Sequence, residues 1–446
     1  MWHYSLPAVV GMLVMSAYNI VDRIFIGHGV DAVALAGMTV TFPLMNLATA
    51  LGVLIGVGAA SRTSIHLGAG QHQTARLILG NALILTIGIG LAYIMAFALF
   101  LDDILLAFGA SENSLPYAHD YMVWLLPGLL LTNLTMSFNN IQRASGYPQR
   151  AMWTMIISSV INIILTPVFI FCFDMGIAGA AIATDIAMIA AFIFVMWHFM
   201  RPDVTVHFSR GCFRLNGRIV WSVITIGAAP ALVNAASMLI NMMVNKALQF
   251  HGSDSALASA GIFITYTSLM VVVILGVCQG MQPILGYNYG AGLIHRLKRT
   301  YWLATMVASA ICFVGTLVSL LWPDMIALAF TTDQSLIAHI DRGLRLATWA
   351  FFIVGFQIVT SNFFQSIGLA AQSIVLGLTR QVIFLIPLLM VLPDLWGIRG
   401  VWLSFPISDI LATVVTAAFI IHRFRIINRM VSASGAQSDV ATSALT

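Results

Sequence analysis

The chain has 446 residues, 60% of them hydrophobic and only 8% charged, where a soluble domain carries about 25% charged residues. That leaves too little polar surface to face water, so the composition excludes a soluble protein and places the chain in a membrane. A net charge of +4 without a basic run interleaved with aromatics excludes a nucleic-acid partner, and four scattered cysteines, Cys172, Cys212, Cys278 and Cys312, read as neither a disulfide frame nor a metal site.

A span needs about 20 mostly apolar residues. Twelve stretches qualify, at about 5–28, 38–67, 76–101, 117–139, 150–173, 177–200, 218–249, 256–288, 299–321, 343–364, 372–392 and 399–422. Their apolar runs are continuous and lack the alternation of barrel strands, so they predict helices. Met1-Trp2-His3-Tyr4 has no basic n-region, and the first stretch is long enough to remain as a helix.

The first span carries an acid. Met15, Tyr18, Asn19 and Asp22 stand at i, i+3, i+4 and i+7, one face of a helix. A carboxylate in a span costs about 3 kcal/mol at the bilayer centre, so it survives facing protein or a water-filled cavity, where such groups mark ion and proton paths. Held in a low-dielectric pocket, a carboxylate exchanges protons nearer neutral pH than it does in water. Arg23 is adjacent, about 100° round the helix, and is a poor intrahelical partner.

Lys and Arg set the orientation. One set of connections holds Arg76, Arg143, Arg150, Arg201, Arg210, Arg214, Arg218, Arg296, Lys298, Arg299, Arg423, Arg425 and Arg429. The other set is poor in them, so the basic side is expected in the cytoplasm together with both termini. A polar loop at 201–217 divides residues 1–200 from 218–425, and the polar tail from 426 to 446 is expected to be cytoplasmic and disordered.

The two halves repeat. Pro7 pairs with Pro230 (230 − 7 = 223), and Asp22-Arg23 with Asn245-Lys246 at the same offset. Gly68-Ala69-Gly70 pairs with Gly290-Ala291-Gly292, Asn140 and Gly146 with Asn362 and Gly368, Pro167 with Pro387, and Gly176 and Gly179 with Gly397 and Gly400. Six helices per half keep the repeats in one orientation, related by an axis along the membrane normal. That is the plan of a transporter handling substrate between its halves.

Several segments resemble the multidrug and toxic compound extrusion (MATE) family. Tyr18-Asn19-Ile20-Val21-Asp22-Arg23-Ile24-Phe25-Ile26-Gly27 resembles its first-helix motif, and Gly176-Ile177-Ala178-Gly179-Ala180-Ala181-Ile182-Ala183-Thr184 the opening of its sixth helix. The run from Gln279 through Pro283 to Ala291 resembles its eighth helix and the loop after it. Thr379-Arg380-Gln381 followed by Pro387 resembles the branch that contains the DinF and MepA proteins. The similarity covers essentially the whole chain. It implies an all-α polytopic protein of twelve helices in two pseudo-symmetric six-helix lobes, with a V-shaped central cavity. It also implies export of amphipathic, often cationic organic compounds from the cytoplasm across a bacterial inner membrane, in exchange for H⁺ or Na⁺.

The family's N-lobe cation site joins the first-helix Asp, an Asn and Asp four apart on the fifth helix, and a Thr on the sixth. Asp22, Asn162 and Thr184 match; Thr166, before Pro167, stands where the second acid would be. A Na⁺ ion at Asp22, Asn162 and Thr184 would meet one formal charge and neutral oxygens, thin for a hard cation, so H⁺ coupling through Asp22 is expected, with Na⁺ as the alternative. Asp185 is a candidate replacement for the missing carboxylate. The seventh helix has Asn234, Asn241 and Asn245 but no acid, so the acidic C-lobe site of the NorM-type branch is not expected there.

In the second half, Asn241, Gln279, Gln282, Gln357 and Asn362 are candidate cavity donors and acceptors, and Met238, Met281 and Phe356 candidates for an adaptable apolar wall. Gln282-Pro283 marks a kink. Arg380, about eight residues into the eleventh span, is expected to snorkel to the cytoplasmic face; Asp409 is the one other acid within a span of the second half. No zinc-ligand helix, nucleophile elbow or phosphate loop stands out, so the chain is not expected to be an enzyme, and no cofactor is implied. It is expected to act as a monomer in the lipid bilayer. A lipid-linked saccharide flippase of related architecture is the other alternative, disfavoured because such proteins present a strongly cationic cavity and intramembrane bases here are few.

Overall fold

The computed structural model describes the backbone except at residues 30–31, 109, 111–113, 252–253, 332–333 and 444–446. Side chains are described except at those positions and at 23, 26–29, 32–39, 249, 251, 254–258, 334–335 and 430–443. The first half holds α1 (Trp2–Gly29), α2 (Ala32–Gly68), α3 (His72–Ala107), α4 (Leu115–Ala144), α5 (Pro148–Pro167) and α6 (Gly176–Met200). The second holds α7 (Gly217–His251), α8 (Asp254–Gly290), α9 (Ile294–Leu321), the short α10 (Pro323–Leu328), α11 (Gln334–Thr348), α12 (Val354–Ser366), α13 (Ala370–Leu378), α14 (Ile386–Trp396) and α15 (Ile398–Ser443). No strand occurs among the described residues. The apolar runs decide this: lipid offers no hydrogen-bond partner, so each backbone amide is satisfied within its own helix.

Eleven helices are long and apolar enough to cross a bilayer among the described residues, and the pair Leu336–Thr348 and Phe351–Ser366, bent by 47°, supplies a twelfth span. The expected tenth span at 343–364 is thus corrected: it starts earlier and breaks at a 3₁₀ turn over Phe351–Ile353. The eleventh span is α13 and α14 joined by a π-helical turn at Thr379–Leu385. Pro387 follows that turn; it has no N–H for the preceding turn, and its ring pushes that turn open. Pro167 likewise precedes a π turn at Val168–Cys172. Where a disordered tail was expected from 426, α15 continues as helix to Ser443.

The repeat seen in the sequence is a structural one. Gly70 and Gly292 adopt φ +73 and +71, and Gly146 and Gly368 φ +100 and +79, backbone that only glycine takes without strain. Asn140 and Asn362 each donate to the carbonyl four residues back, Met136 and Ile358, at 2.9 Å. The six-helix lobes are therefore copies of one unit.

The lobes meet through glycines, the small residues that let helices approach closely in lipid. A Cβ on Gly68 would fall 2.0 Å from the Tyr287 carbonyl oxygen, and one on Gly290 2.0 Å from that of Ile65. Gly58 meets Val223 and Gly227 meets Leu54 in the same way, and Gly276 and Gly280 lie against Val9 and Ser5. These contacts lie at one end of the molecule, where Met1 and Ile427 pack on one apolar cluster. The lobes close there, and the space between them forms the central cavity.

Candidate functional site

In the N-lobe, the turns of α1, α5 and α6 bring the matched polar residues together. The Thr166 hydroxyl, fully buried, donates to Asp22 Oδ1 at 3.1 Å and lies 3.4 Å from Asn162 Oδ1. Asn162 Nδ2 donates to Thr184 Oγ1 at 3.0 Å, and Thr184 donates to the Ala180 carbonyl at 3.0 Å. Asp22, Thr166, Asn162 and Thr184 thus form one hydrogen-bonded string across three helices. Asp22 is half-buried, and the Arg23 side chain lies outside the described residues. Tyr18 is in electrostatic range of Asp22 and lines the central cavity.

Two expectations for this pocket are refined. Asn19 does not join the string: it is exposed, and its amide donates to the Met15 carbonyl of its own helix at 2.8 Å. Asp185 turns from Thr184 toward α4. Its buried Oδ1 finds no well-formed hydrogen bond and faces Gly128, where a Cβ would fall 1.6 Å away. The buried Tyr121, seven residues before Gly128 on the same face of α4, lies in the field of Asp22, Tyr18 and Asp185. Sequence reasoning missed Tyr121; its signal was the i, i+7 spacing to a glycine that makes room for an acid.

The central cavity has a volume of about 470 Å³, the size that takes drug-like molecules. Its walls follow the repeat: Thr135, Asn139, Asn140 and Arg143 on α4 face it from one lobe, and Gln357, Ser361, Asn362 and Gln365 on α12, each 222 residues on (365 − 143 = 222), from the other. The cavity therefore sits on the pseudo-two-fold axis. Of the expected lining residues, Gln279, Gln282, Gln357 and Asn362 do line it. Asn241 is exposed and Met238 half-buried away from it, Met281 is fully buried in the C-lobe core, and Phe356 packs against that core. The cavity's methionines are instead Met12, Met15, Met136, Met155 and Met188, from the N-lobe.

Two arginines line it as well. Arg380 does not snorkel: its Nε donates to Asp409 Oδ1 at 2.6 Å, and Asp409 is 2% exposed. The π turn rotates Arg380 inward toward α15. Arg143 was counted among the loop cations, but α4 runs to Ala144 and turns Arg143 inward, leaving it 5% exposed. Its guanidinium donates to Asn140 Oδ1 and, across the lobe boundary, to Gln279 Oε1. Asn139, Asn140 and Arg143 at i, i+1 and i+4 were the available sequence signal.

Comparison with known proteins agrees with this architecture. The chain is 26% identical to the multidrug export protein MepA of Staphylococcus aureus (strain MRSA252) over 427 residues, 95% of this chain and 93% of that protein. It is 26% identical to a protein of Shewanella oneidensis described as an FAD transporter, over 91% of this chain and 90% of that one. Among solved structures, the outward-facing conformation of a multidrug resistance MATE family transporter of the MOP superfamily superposes with a TM-score of 0.90 at 25% identity, covering 96% of this chain and 95% of that one. The MatE family model matches residues 7–168 and 226–391, one match in each lobe. On that match, the chain belongs to the MatE family of multidrug and toxic compound extrusion transporters.

Proposed function

We propose that this transporter is a secondary antiporter that exports amphipathic organic compounds in exchange for protons, with Asp22 as the proton carrier. The observation that carries the reading is the Thr166 hydroxyl on Asp22 at 3.1 Å, within a string that holds a single carboxylate. Asn162 Oδ1 faces the Thr166 hydroxyl, and Thr184 Oγ1 takes the Asn162 amide while donating to Ala180. A Na⁺ ion would need several of these oxygens at once; a proton needs one carboxylate oxygen. The donors suit a carboxylate that gains and loses a proton in place.

Sidedness follows from the basic residues near the end that holds both termini, which the positive-inside rule assigns to the cytoplasm of a bacterial inner membrane. The lobes close at that end, so this state is outward-facing. Protonation of Asp22 from outside removes its charge and weakens its bond to Thr166. That allows α1 to repack against α5 and favours substrate release; deprotonation to the inside resets the pocket. Each proton moved inward supplies about 2.3 kcal/mol per 100 mV, plus its concentration term. The expectation of a cationic substrate draws no support from the cavity wall, where no carboxylate is found among the described residues.

Efflux of a fluorescent amphipathic dye from proteoliposomes tests the coupling. Wild-type protein should move dye under an imposed pH gradient and ignore a Na⁺ gradient, and Asp22→Asn should abolish the response. Efflux that follows Na⁺ alone, or that persists in Asp22→Asn, would refute it.

A further inference from the structure

The two guanidiniums of the cavity differ in one respect. Arg380 is matched by Asp409. Arg143, though 5% exposed, receives only the neutral amide oxygens of Asn140 and Gln279, and no carboxylate lies in its field among the described residues. Neutral acceptors leave the full positive charge in place. A buried cation without a counter-ion is strongly disfavoured unless something supplies the opposite charge. The cavity wall does not supply it.

A second observation points to a ligand. Gln357 and Thr135 line the cavity, and two of their buried atoms, Gln357 Oε1 and Thr135 Oγ1, have no hydrogen-bond partner among the described residues. They are repeat mates (357 − 135 = 222), one on each wall. Buried polar atoms without a partner carry a cost that a hydrogen bond from a ligand at the cavity wall would remove.

We propose that the central cavity binds drug-sized organic acids, with Arg143 receiving the carboxylate or other oxyanion and Gln357 and Thr135 meeting polar groups in the middle of the molecule. The proposal rests on the export reading and narrows its substrate class. It reverses the charge preference expected from the family resemblance. The remaining N–H groups of Arg143 suit a planar oxyanion, and the methionines of the N-lobe wall give the apolar body of the ligand an adaptable surface. The bond from Arg143 to Gln279 also crosses the lobes, so an acid that draws the guanidinium away would loosen the closed end.

The test uses a rhodamine dye with a free carboxylate and its ethyl ester, which differ only in the acid group. Binding to the full-length protein in detergent is read by fluorescence anisotropy. Wild type should bind the acid at least about tenfold more tightly than the ester. Arg143→Gln should erase that preference, and Arg143→Lys should keep part of it. Equal or tighter binding of the ester by wild type overturns the proposal, as does a preference that survives in Arg143→Gln. Displacement of the acid dye by phosphatidylglycerol but not by benzoate would also overturn it, in favour of a lipid headgroup. In proteoliposomes, pH-driven efflux of the ester but not the acid would leave the export reading standing without the acid site. An acid that binds but is not moved would do the reverse.

Discussion

Thr166 stands where the family pattern places a second acid, and its hydroxyl changes what the pocket can do. It donates to a carboxylate, a bond that contributes about 1.5–3 kcal/mol when one partner is charged. Thr166→Val keeps the shape and removes that donor. We expect pH-driven efflux to fall about tenfold with the protein still folded, measured in proteoliposomes alongside thermal unfolding in detergent; efflux equal to wild type would take Thr166 out of the coupling path. Asp22, Asn162 and Thr184 could be picked out of the sequence because their spacing matched a known pattern residue by residue. Asn19 could not be placed as well. Helical periodicity puts it on the same broad face as Asp22, but it stands at the edge of that face, and the packing of α1 turned it outward. Arg143 was misplaced for a different reason. Counting Lys and Arg near span ends treats them as loop residues, and only the length of α4 and its contact with α8 reveal that this one points inward.

At the scale of elements, the helices were legible and their breaks were not. Continuous apolar runs located the spans, with several ends off by about five to seven residues, because the bilayer sets a minimum length while the helices run on beyond it. The bend between α11 and α12 and the π turn before Pro387 depend on which neighbours take up the freed backbone groups, which no local pattern states. The glycines where helices cross are similar: the repeat marked several of them, but their tight contacts appear only in the packed lobes. Gly227 is the sharpest case, since a Cβ there would lie 1.6 Å from the Leu54 carbonyl oxygen. Backbone cannot yield as a side chain can, so α2 and α7 must separate. Gly227→Ala should shift the population away from the outward-facing state. Spin-label distances between α2 and α7 near the closed end should lengthen; an unchanged distance distribution would show that the crossing has slack.

For the whole molecule, the closed end is a prediction in itself. Ser64 and Gly286 face each other across the lobes, and a Cβ on Gly286 would lie 2.9 Å from that of Ser64, about 0.6 Å inside the shortest Cβ spacing of a disulfide, so a bridge forms once the two helices move apart by that much. Ser64→Cys with Gly286→Cys should therefore cross-link on oxidation, stop transport, and recover on reduction; transport unaffected by a formed cross-link would mean the lobes do not part there. The sequence by itself determined the membrane setting, the helical class, the twofold repeat and the acid of α1. Each of these follows from composition, periodicity or a local motif, properties that survive without knowing which helix touches which. Only the tertiary structure decided which polar residues share a cavity, that Asp185 turns to α4, and that Arg143 meets neutral amides where the lobes join. Those outcomes depend on helix rotation and on contacts between residues more than a hundred positions apart, and rotation about a helix axis is what a span of uniformly apolar sequence leaves open.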